Sequence, residues 1–182
     1  MMHSETAIRR IILNDRPAKS IEILLGSIPG RWGRMTPLSR LLIVETARIL
    51  QHHGILACGQ RLSDMGKKVG LIGGTRRGSL HTDLAFITTM AAGPGLASPA
   101  LFGYTLANIP LAEAAVAHGL TGPVYAVFDA ETPLKSAQDE AHRLLSMQND
   151  LDLMLACEFD HYEHTGQQEE LSVTLTVVGQ KV

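Results

Sequence analysis

One segment with the composition of a ligand-binding loop is GGTRRGS, residues 73–79, which follows an apolar run. Phosphate-binding loops of the P-loop type carry two glycines at the spacing of Gly73 and Gly78, and their backbone N–H groups cradle phosphate. Such loops need a lysine directly after the second glycine, where this chain has Ser79. The segment is therefore interpreted as a strand-to-helix turn and not as a nucleotide site.

A second segment that could do chemistry is DHYEH, residues 160–164, which holds His161, Glu163 and His164. Imidazole nitrogens and carboxylate oxygens are common ligands of Zn²⁺. The spacing matches no defined metal motif, and a polar loop between two strands accounts for the same residues. The sequence predicts neither a metal site nor a cofactor.

The remaining candidate groups have structural interpretations. His118, like the pair His52 and His53, ends a predicted helix, where a histidine interacts favourably with the helix dipole. Cys58 and Cys157 form no CxxC pattern and lie in or near apolar segments, so both are predicted to be buried thiols in a reducing cytoplasm. No Ser-His-Asp set can be read from the spacing.

The elements that must position these residues alternate between strands and helices. The predicted helices follow apolar stripes and proline or glycine boundaries at residues 37–53, 82–90, 111–118 and 133–147. The predicted strands are short apolar or alternating runs at residues 68–73, 124–128, 151–157 and 171–178. An additional first strand is predicted at either residues 8–13 or residues 21–25.

This order predicts an α/β fold, in which a mostly parallel mixed sheet is covered by helices and ends in a hairpin. The chain has 182 residues, a net charge of −2 and 45% hydrophobic residues, which is enough for a single domain over residues 1–182. The balanced charge predicts no nucleic-acid partner. No run of about 20 apolar residues predicts a membrane span, and the N-terminus lacks a signal-peptide pattern, so a cytoplasmic protein is expected.

The stretch SPALFGYTLANIPLAEAAVAHGLTGP, residues 98–123, is similar to the part of β-ketoacyl-acyl-carrier-protein synthases that leads to their nucleophile. The matching positions include a Ser-Pro pair, an aromatic residue, a Tyr-Thr-x-x-Asn run and a Gly-x-x-Gly-Pro ending. They are Ser98, Pro99, Phe102, Tyr104, Thr105, Asn108, Gly119, Gly122 and Pro123. The resemblance implies the thiolase fold of two similar βαβαβαββ halves, of which this chain has the length and element order of the first.

The chain departs from this family at the nucleophile. The family's cysteine lies nine residues after the glycine of the Gly-Pro pair, and that count from Gly122 reaches Glu131. The cysteine carries the acyl chain as a thioester, which a carboxylate cannot do, and the family's two histidines belong to the absent second half. Glu131 can also be a solvated carboxylate near a positive helix end. The resemblance marks Tyr104, Asn108 and Phe128 as candidate substrate contacts.

Three hypotheses follow from the resemblance. The first is a non-catalytic ketosynthase-like subunit of fatty acid, polyketide or aryl-polyene biosynthesis, which associates with a complete ketosynthase or an acyl carrier protein. Arg76 and Arg77 could meet that acidic carrier or its phosphopantetheine phosphate. The second is a self-paired or hetero-paired acyl-thioester enzyme of the malonyl decarboxylase type, with Glu131 as its acid or base. The third is a remnant that binds nothing.

A homo- or hetero-oligomer is expected because the family buries apolar surface between halves.

Related subunits that carry glutamine in place of the cysteine act as chain length factors or as decarboxylases. Glu131 differs from glutamine because a charged carboxylate would repel the carboxylate of a malonyl group unless it were protonated. The resemblance therefore favours the non-catalytic role over the decarboxylase.

Overall fold

The helices and strands form where the sequence supplies capping residues and apolar stripes. The computed structural model describes residues 19–163 and 169–179, and within them it contains six α-helices and four strands. In chain order these are α1 Lys19–Leu25, α2 Pro37–His52, β1 Val69–Thr75, α3 Leu80–Thr89, α4 Pro99–Gly103, α5 Asn108–His118, β2 Val124–Phe128, α6 Pro133–Met147, β3 Leu153–Tyr162 and β4 Glu170–Val178. Short 3₁₀ turns lie at Trp32–Arg34, Leu62–Met65, Met90–Ala92 and Pro94–Leu96.

The four described strands form one sheet in the order β2-β1-β3-β4. β1 is parallel to both of its neighbours, with Leu71 opposite Val124 on β2 and opposite Leu155 on β3. β4 runs antiparallel to β3, as expected for a hairpin. The α/β class, the largely parallel sheet and the closing hairpin predicted from the sequence are confirmed.

Each face of the sheet packs against a different set of helices. On one face, α2 and α5 cover a core that includes Leu71, Leu155 and Phe159, all fully buried. On the other face, α6 covers Ile72 and Met154. Burial of each such large side chain contributes about 1.5–3 kcal/mol, so the two faces together supply most of the driving force for folding. The near-continuous apolar sequence of β1 reflects burial on both faces.

Glycines in β1 let helix α6 and the sheet approach closely. A Cβ atom on Gly74 would lie 1.8 Å from the carbonyl oxygen of Pro133, the first residue of α6. A Cβ atom on Gly73 would lie 2.4 Å from the ring of Phe159 on β3. Both distances are far below van der Waals contact, so only glycine fits at these two positions.

Several sequence expectations need correction. Residues 21–25 were an alternative for the first strand, but they lie in helix α1, so that assignment is wrong. The other alternative, residues 8–13, lies outside the described residues. Cys58 was expected to be buried and is exposed, whereas Cys157 is fully buried as predicted. Within the described residues, no helix is long and apolar enough to cross a membrane.

Candidate functional site

The loop after β1 is held by a buried carboxylate. Asp160 on β3 accepts hydrogen bonds from the hydroxyl of Thr75 at 2.6 Å and from the backbone N–H groups of Arg77 at 2.7 Å and Gly78 at 2.9 Å. The N–H of Arg76 also donates to it, at 3.2 Å. The amides that would cradle a phosphate therefore bind an internal carboxylate. This agrees with the interpretation of the segment as a structural turn.

Arg76 links this loop to the segment that contains Glu131. Its guanidinium donates to the carbonyl oxygens of Ala130 at 3.2 Å and Glu131 at 3.1 Å, and it forms an ion pair with Glu158. These contacts fix the backbone around Glu131. Arg77 lies over the ring of Tyr162, 4.5 Å from its centroid. Both arginines thus make contacts within the chain.

Asp129, not Thr132, organises the start of α6. Its carboxylate accepts from the N–H groups of Glu131 at 2.8 Å and Thr132 at 2.9 Å, and from the hydroxyl of Ser136. Thr132, which directly precedes α6, makes no side-chain cap. These hydrogen bonds lower the pKa of Asp129 to about 2, and the one from Ser136 has the largest effect. A charged side chain at this place also complements the helix dipole.

Glu131 itself is exposed in the isolated chain. It follows Phe128 by three residues, on the turn between β2 and α6. The structure therefore places this residue where the strand and helix meet, at the surface.

An open cavity of about 460 Å³ lies at the carboxyl ends of β1 and β2. Asn108 and Phe128, two of the candidate substrate contacts, line it together with residues of the loop after β1. Asn108 is the first residue of α5, and its Oδ1 accepts from the N–H of Ala126 at 2.7 Å. Asn108 therefore joins the start of α5 to strand β2.

Tyr104, the third candidate contact, belongs to a different cluster. Its hydroxyl donates to the buried carboxylate of Glu113 at 3.0 Å, and Arg31 donates to the same carboxylate at 3.1 Å. Burial is the main reason that the pKa of Tyr104 is raised to about 12. The negative charge of Glu113 and the hydrogen bond to it raise this pKa further. The structure therefore brings Asn108 and Phe128 together at one cavity and places Tyr104 outside its lining.

Two of the side chains that line the cavity are apolar and exposed. Phe128 is 75% exposed and Leu106, another residue of the lining, is 59% exposed. Phe102 on α4 is 61% exposed and contacts Phe86 on α3 with ring centroids 5.5 Å apart. We call the exposed side chains of Phe102, Leu106 and Phe128 the apolar rim. Solitary exposed apolar residues are ordinary, but neighbouring ones mark interaction surfaces.

Strand β2 forms an edge of the described sheet. The N–H of Leu71 donates to the carbonyl oxygen of Pro123, and the N–H of Asp129 donates to the carbonyl oxygen of Thr75. The backbone groups of every second residue from 123 to 129 therefore point toward β1. The intervening residues, at 124, 126 and 128, then direct their backbone groups away from β1. Within residues 19–163 and 169–179, β2 pairs only with β1. An edge strand of this kind can pair with another chain.

The histidines singled out in the sequence have specific positions. His118 is buried, and its Nε2 donates to the carbonyl oxygen of Ile43 at 2.8 Å. Burial lowers its pKa, so the expected charge interaction with the helix end does not apply. His161 is fully buried on β3, Glu163 is exposed directly after that strand, and His164 lies outside the described residues. Sequence reasoning missed the contacts of His161 with His81, which is distant in the chain, and with Glu169, which lies before the next strand.

No protein-family model matches the sequence, and a search of curated proteins returns no significant match. Solved structures do match. The ishigamide ketosynthase/chain length factor has a TM-score of 0.66 and 20% identity, with 90% of this chain and 48% of that chain covered. A chain of the ketosynthase (ApeO) in complex with its chain length factor (ApeC) from Xenorhabdus doucetiae has a TM-score of 0.63 and 13% identity, with 100% and 73% covered.

A β-ketoacyl synthase from Burkholderia phymatum STM815 is a further neighbour, with a TM-score of 0.57 and 20% identity over 76% of this chain and 33% of that chain. This chain spans about half the length of the ishigamide protein and a third of the Burkholderia synthase. The similarity establishes the fold. The chain has the thiolase-like half-fold of ketosynthases and chain length factors, as the sequence resemblance implied.

Proposed function

We propose that this chain is a non-catalytic ketosynthase-like subunit of the chain-length-factor type, which pairs with a complete ketosynthase in the cytoplasm. The observation that carries the proposal is that the ketosynthase fold is retained while Glu131 stands at the position that the resemblance assigns to the nucleophilic cysteine. A glutamate carboxylate cannot hold a transferable acyl thioester. The reactive cysteine of such an assembly would then come from its partner.

The surface of the chain supports a paired state. Strand β2 lies at the edge of the described sheet, where Asn108 binds the N–H of Ala126 and leaves the ends of the strand for a partner, and Phe128 at one end is 75% exposed. The apolar rim continues this surface toward α4. A partner that pairs with β2 and covers the rim would satisfy both features at once.

The partner we propose is a complete ketosynthase, because two of the similar solved structures are described as a ketosynthase with a chain length factor. The acyl chain would belong to fatty acid, polyketide or aryl-polyene biosynthesis and would be delivered by an acyl carrier protein. The contacts of Arg76 within the chain argue against this residue as the main contact for the carrier.

The proposal is tested by affinity purification of the tagged chain from its own host, with identification of the co-purifying proteins. We expect a cysteine-bearing ketosynthase to be recovered. The variant Phe128→Asp places a charge at the end of the edge strand and should reduce that recovery by more than about tenfold. The matched control is Ile23→Asp on α1, which changes an equally apolar, 66% exposed side chain and should leave recovery intact.

Recovery of the chain without any ketosynthase, or equal recovery with Phe128→Asp and the parent, would contradict the proposal. It would then favour the paired enzyme, in which Glu131 is the acid or base. That alternative is examined by assaying the pure chain for decarboxylation of a malonyl thioester. We expect no activity in the parent, whereas activity that is lost in Glu131→Gln would establish the alternative.

A further inference from the structure

Three side chains from three segments of the chain meet where α3 begins, β3 ends and β4 begins. The rings of His81 and His161 are stacked, with centroids 4.2 Å apart and planes 17° apart. His161 Nε2 lies 2.6 Å from Oε1 of Glu169. One potential ligand atom from each of the three residues lies within 4.8 Å of the other two.

The backbone holds these residues in place from three directions. The N–H of His161 donates to the carbonyl oxygen of Gly78 at 2.9 Å, which fixes the end of β3 against the turn that starts α3. His81 is the second residue of α3. Glu169 directly precedes β4, whose register is set by the pairing of Leu171 with His161. The cluster is therefore a product of the tertiary fold.

We propose that His81, His161 and Glu169 bind a Zn²⁺ ion. Two imidazole nitrogens and one carboxylate oxygen form a donor set that zinc sites use, with a fourth position for water. His161 is fully buried, while the side chain of Glu169 is 38% exposed and His81 is half-buried. One ligand is thus held rigidly in the core, and the other two can adjust from the surface side.

Binding of the ion requires the three side chains to move relative to one another. Ligand atoms about 2.1 Å from a tetrahedral ion lie about 3.4 Å from one another. The contact of 2.6 Å between His161 and Glu169 would therefore open slightly. His81 would turn out of the stack, because its ring nitrogen must point at the ion in the plane of the ring. The bound ion would join α3 to the β3–β4 hairpin, independently of any ketosynthase partner.

The experiment uses the full chain without a polyhistidine tag, stripped with a chelator and titrated with Zn²⁺ by calorimetry and with Co²⁺ by visible absorption. We expect one ion per chain, ligand-field bands from Co²⁺ and a higher melting temperature with Zn²⁺. The variants His81→Ala and Glu169→Gln should each weaken binding by more than about tenfold. His161 is left unchanged, because its burial makes a folding defect the first consequence of replacing it.

Two matched controls separate this site from other ligands in the chain. His142→Ala removes an exposed histidine from α6, and Glu163→Gln removes an exposed carboxylate two residues after His161. Both should bind Zn²⁺ as the parent does. Absence of saturable binding would overturn the proposal. The cluster would then be an ion pair of His161 with Glu169, with the ring of His81 stacked on His161. Binding that persists unchanged in His81→Ala and Glu169→Gln would overturn it as well.

Discussion

At the residue scale, the loops around the candidate site depend on two aspartates whose roles come from their partners in space. Asp160 binds the turn after β1, and Asp129 binds the turn before α6. The sequence showed Asp160 only as part of DHYEH and gave no reason to single out Asp129. A carboxylate that accepts several backbone N–H groups is recognisable only when the donors, up to 85 positions away, are placed around it.

Replacement of Asp160 by asparagine should destabilise the fold. The amide keeps the shape but loses the charge that strengthens the hydrogen bonds to Oδ1, and its NH₂ group would face the N–H of Arg76, which donates to Oδ2 at 3.3 Å in the parent. We expect a loss of about 3 kcal/mol in the free energy of unfolding, because hydrogen bonds to charged groups contribute about 1.5–3 kcal/mol each. Urea denaturation measures the loss. Asp139→Asn, which affects an exposed pair with Lys135, is the control and should change stability by less than about 1 kcal/mol.

Asp129 should make stability depend on acid pH. Its pKa is lowered to about 2 in the folded chain by hydrogen bonds from Ser136, Thr132 and Glu131. In the unfolded chain it titrates near pH 3.9, at about the ordinary value for aspartate. Its stabilising contribution is therefore complete above about pH 4 and is lost as the pH falls toward 2.

Unfolding curves of the parent and of Asp129→Asn across this pH range measure the effect. We expect the difference in stability between the two proteins to shrink as the pH falls. A difference that stays constant from neutral pH to pH 2 would contradict the role assigned to this carboxylate. The hydrogen bond with Arg143 also lowers the pKa of Glu140 to about 2. Because Glu140 is present in both proteins, its contribution to the pH dependence cancels in the comparison.

At the element scale, the segments with a clear period or a buried apolar run were predicted well, and two short helices were not. The bounds of α6, Pro133–Met147, match the prediction because Pro133 fits the first helical turn and the apolar stripe is clear. Helix α1 was mistaken for a strand because a short apolar run has no distinguishing period. Helix α4, Pro99–Gly103, was not predicted, although Ser98 caps it as the spacing Ser-Pro would allow.

The close contact between β1 and α6 gives a prediction for this scale. Gly74→Ala would place its Cβ 1.8 Å from the backbone carbonyl of Pro133, so the helix must move. We expect a loss of about 3 kcal/mol or more in the free energy of unfolding. Gly103→Ala, where no atom lies within 4 Å, is the control and should leave stability unchanged or raise it by up to about 1 kcal/mol. Thermal unfolding of both variants measures the effect, and equal stability would exclude the tight contact.

At the scale of the whole molecule, the chain presents an edge strand beside the apolar rim. Exposed surface of this kind promotes association in water. We therefore expect the isolated chain to self-associate as its concentration rises, whereas Phe128→Asp should remain closer to a monomer with unchanged stability. Sedimentation velocity over a range of concentrations measures this. A parent chain that stays monomeric at every concentration would show that the rim is covered within the chain itself.

The sequence by itself determined the α/β class, most elements of the sheet and the resemblance to ketosynthases, because buried strands and amphipathic helices leave local patterns. It also placed Glu131 where the family has its nucleophile. Only the tertiary structure decided that Glu131 is exposed, that Tyr104 lies apart from Asn108 and Phe128, and that His81 meets His161 and Glu169. These relations depend on how the chain packs in three dimensions, and no local pattern records which side chains the packing of a sheet will bring together.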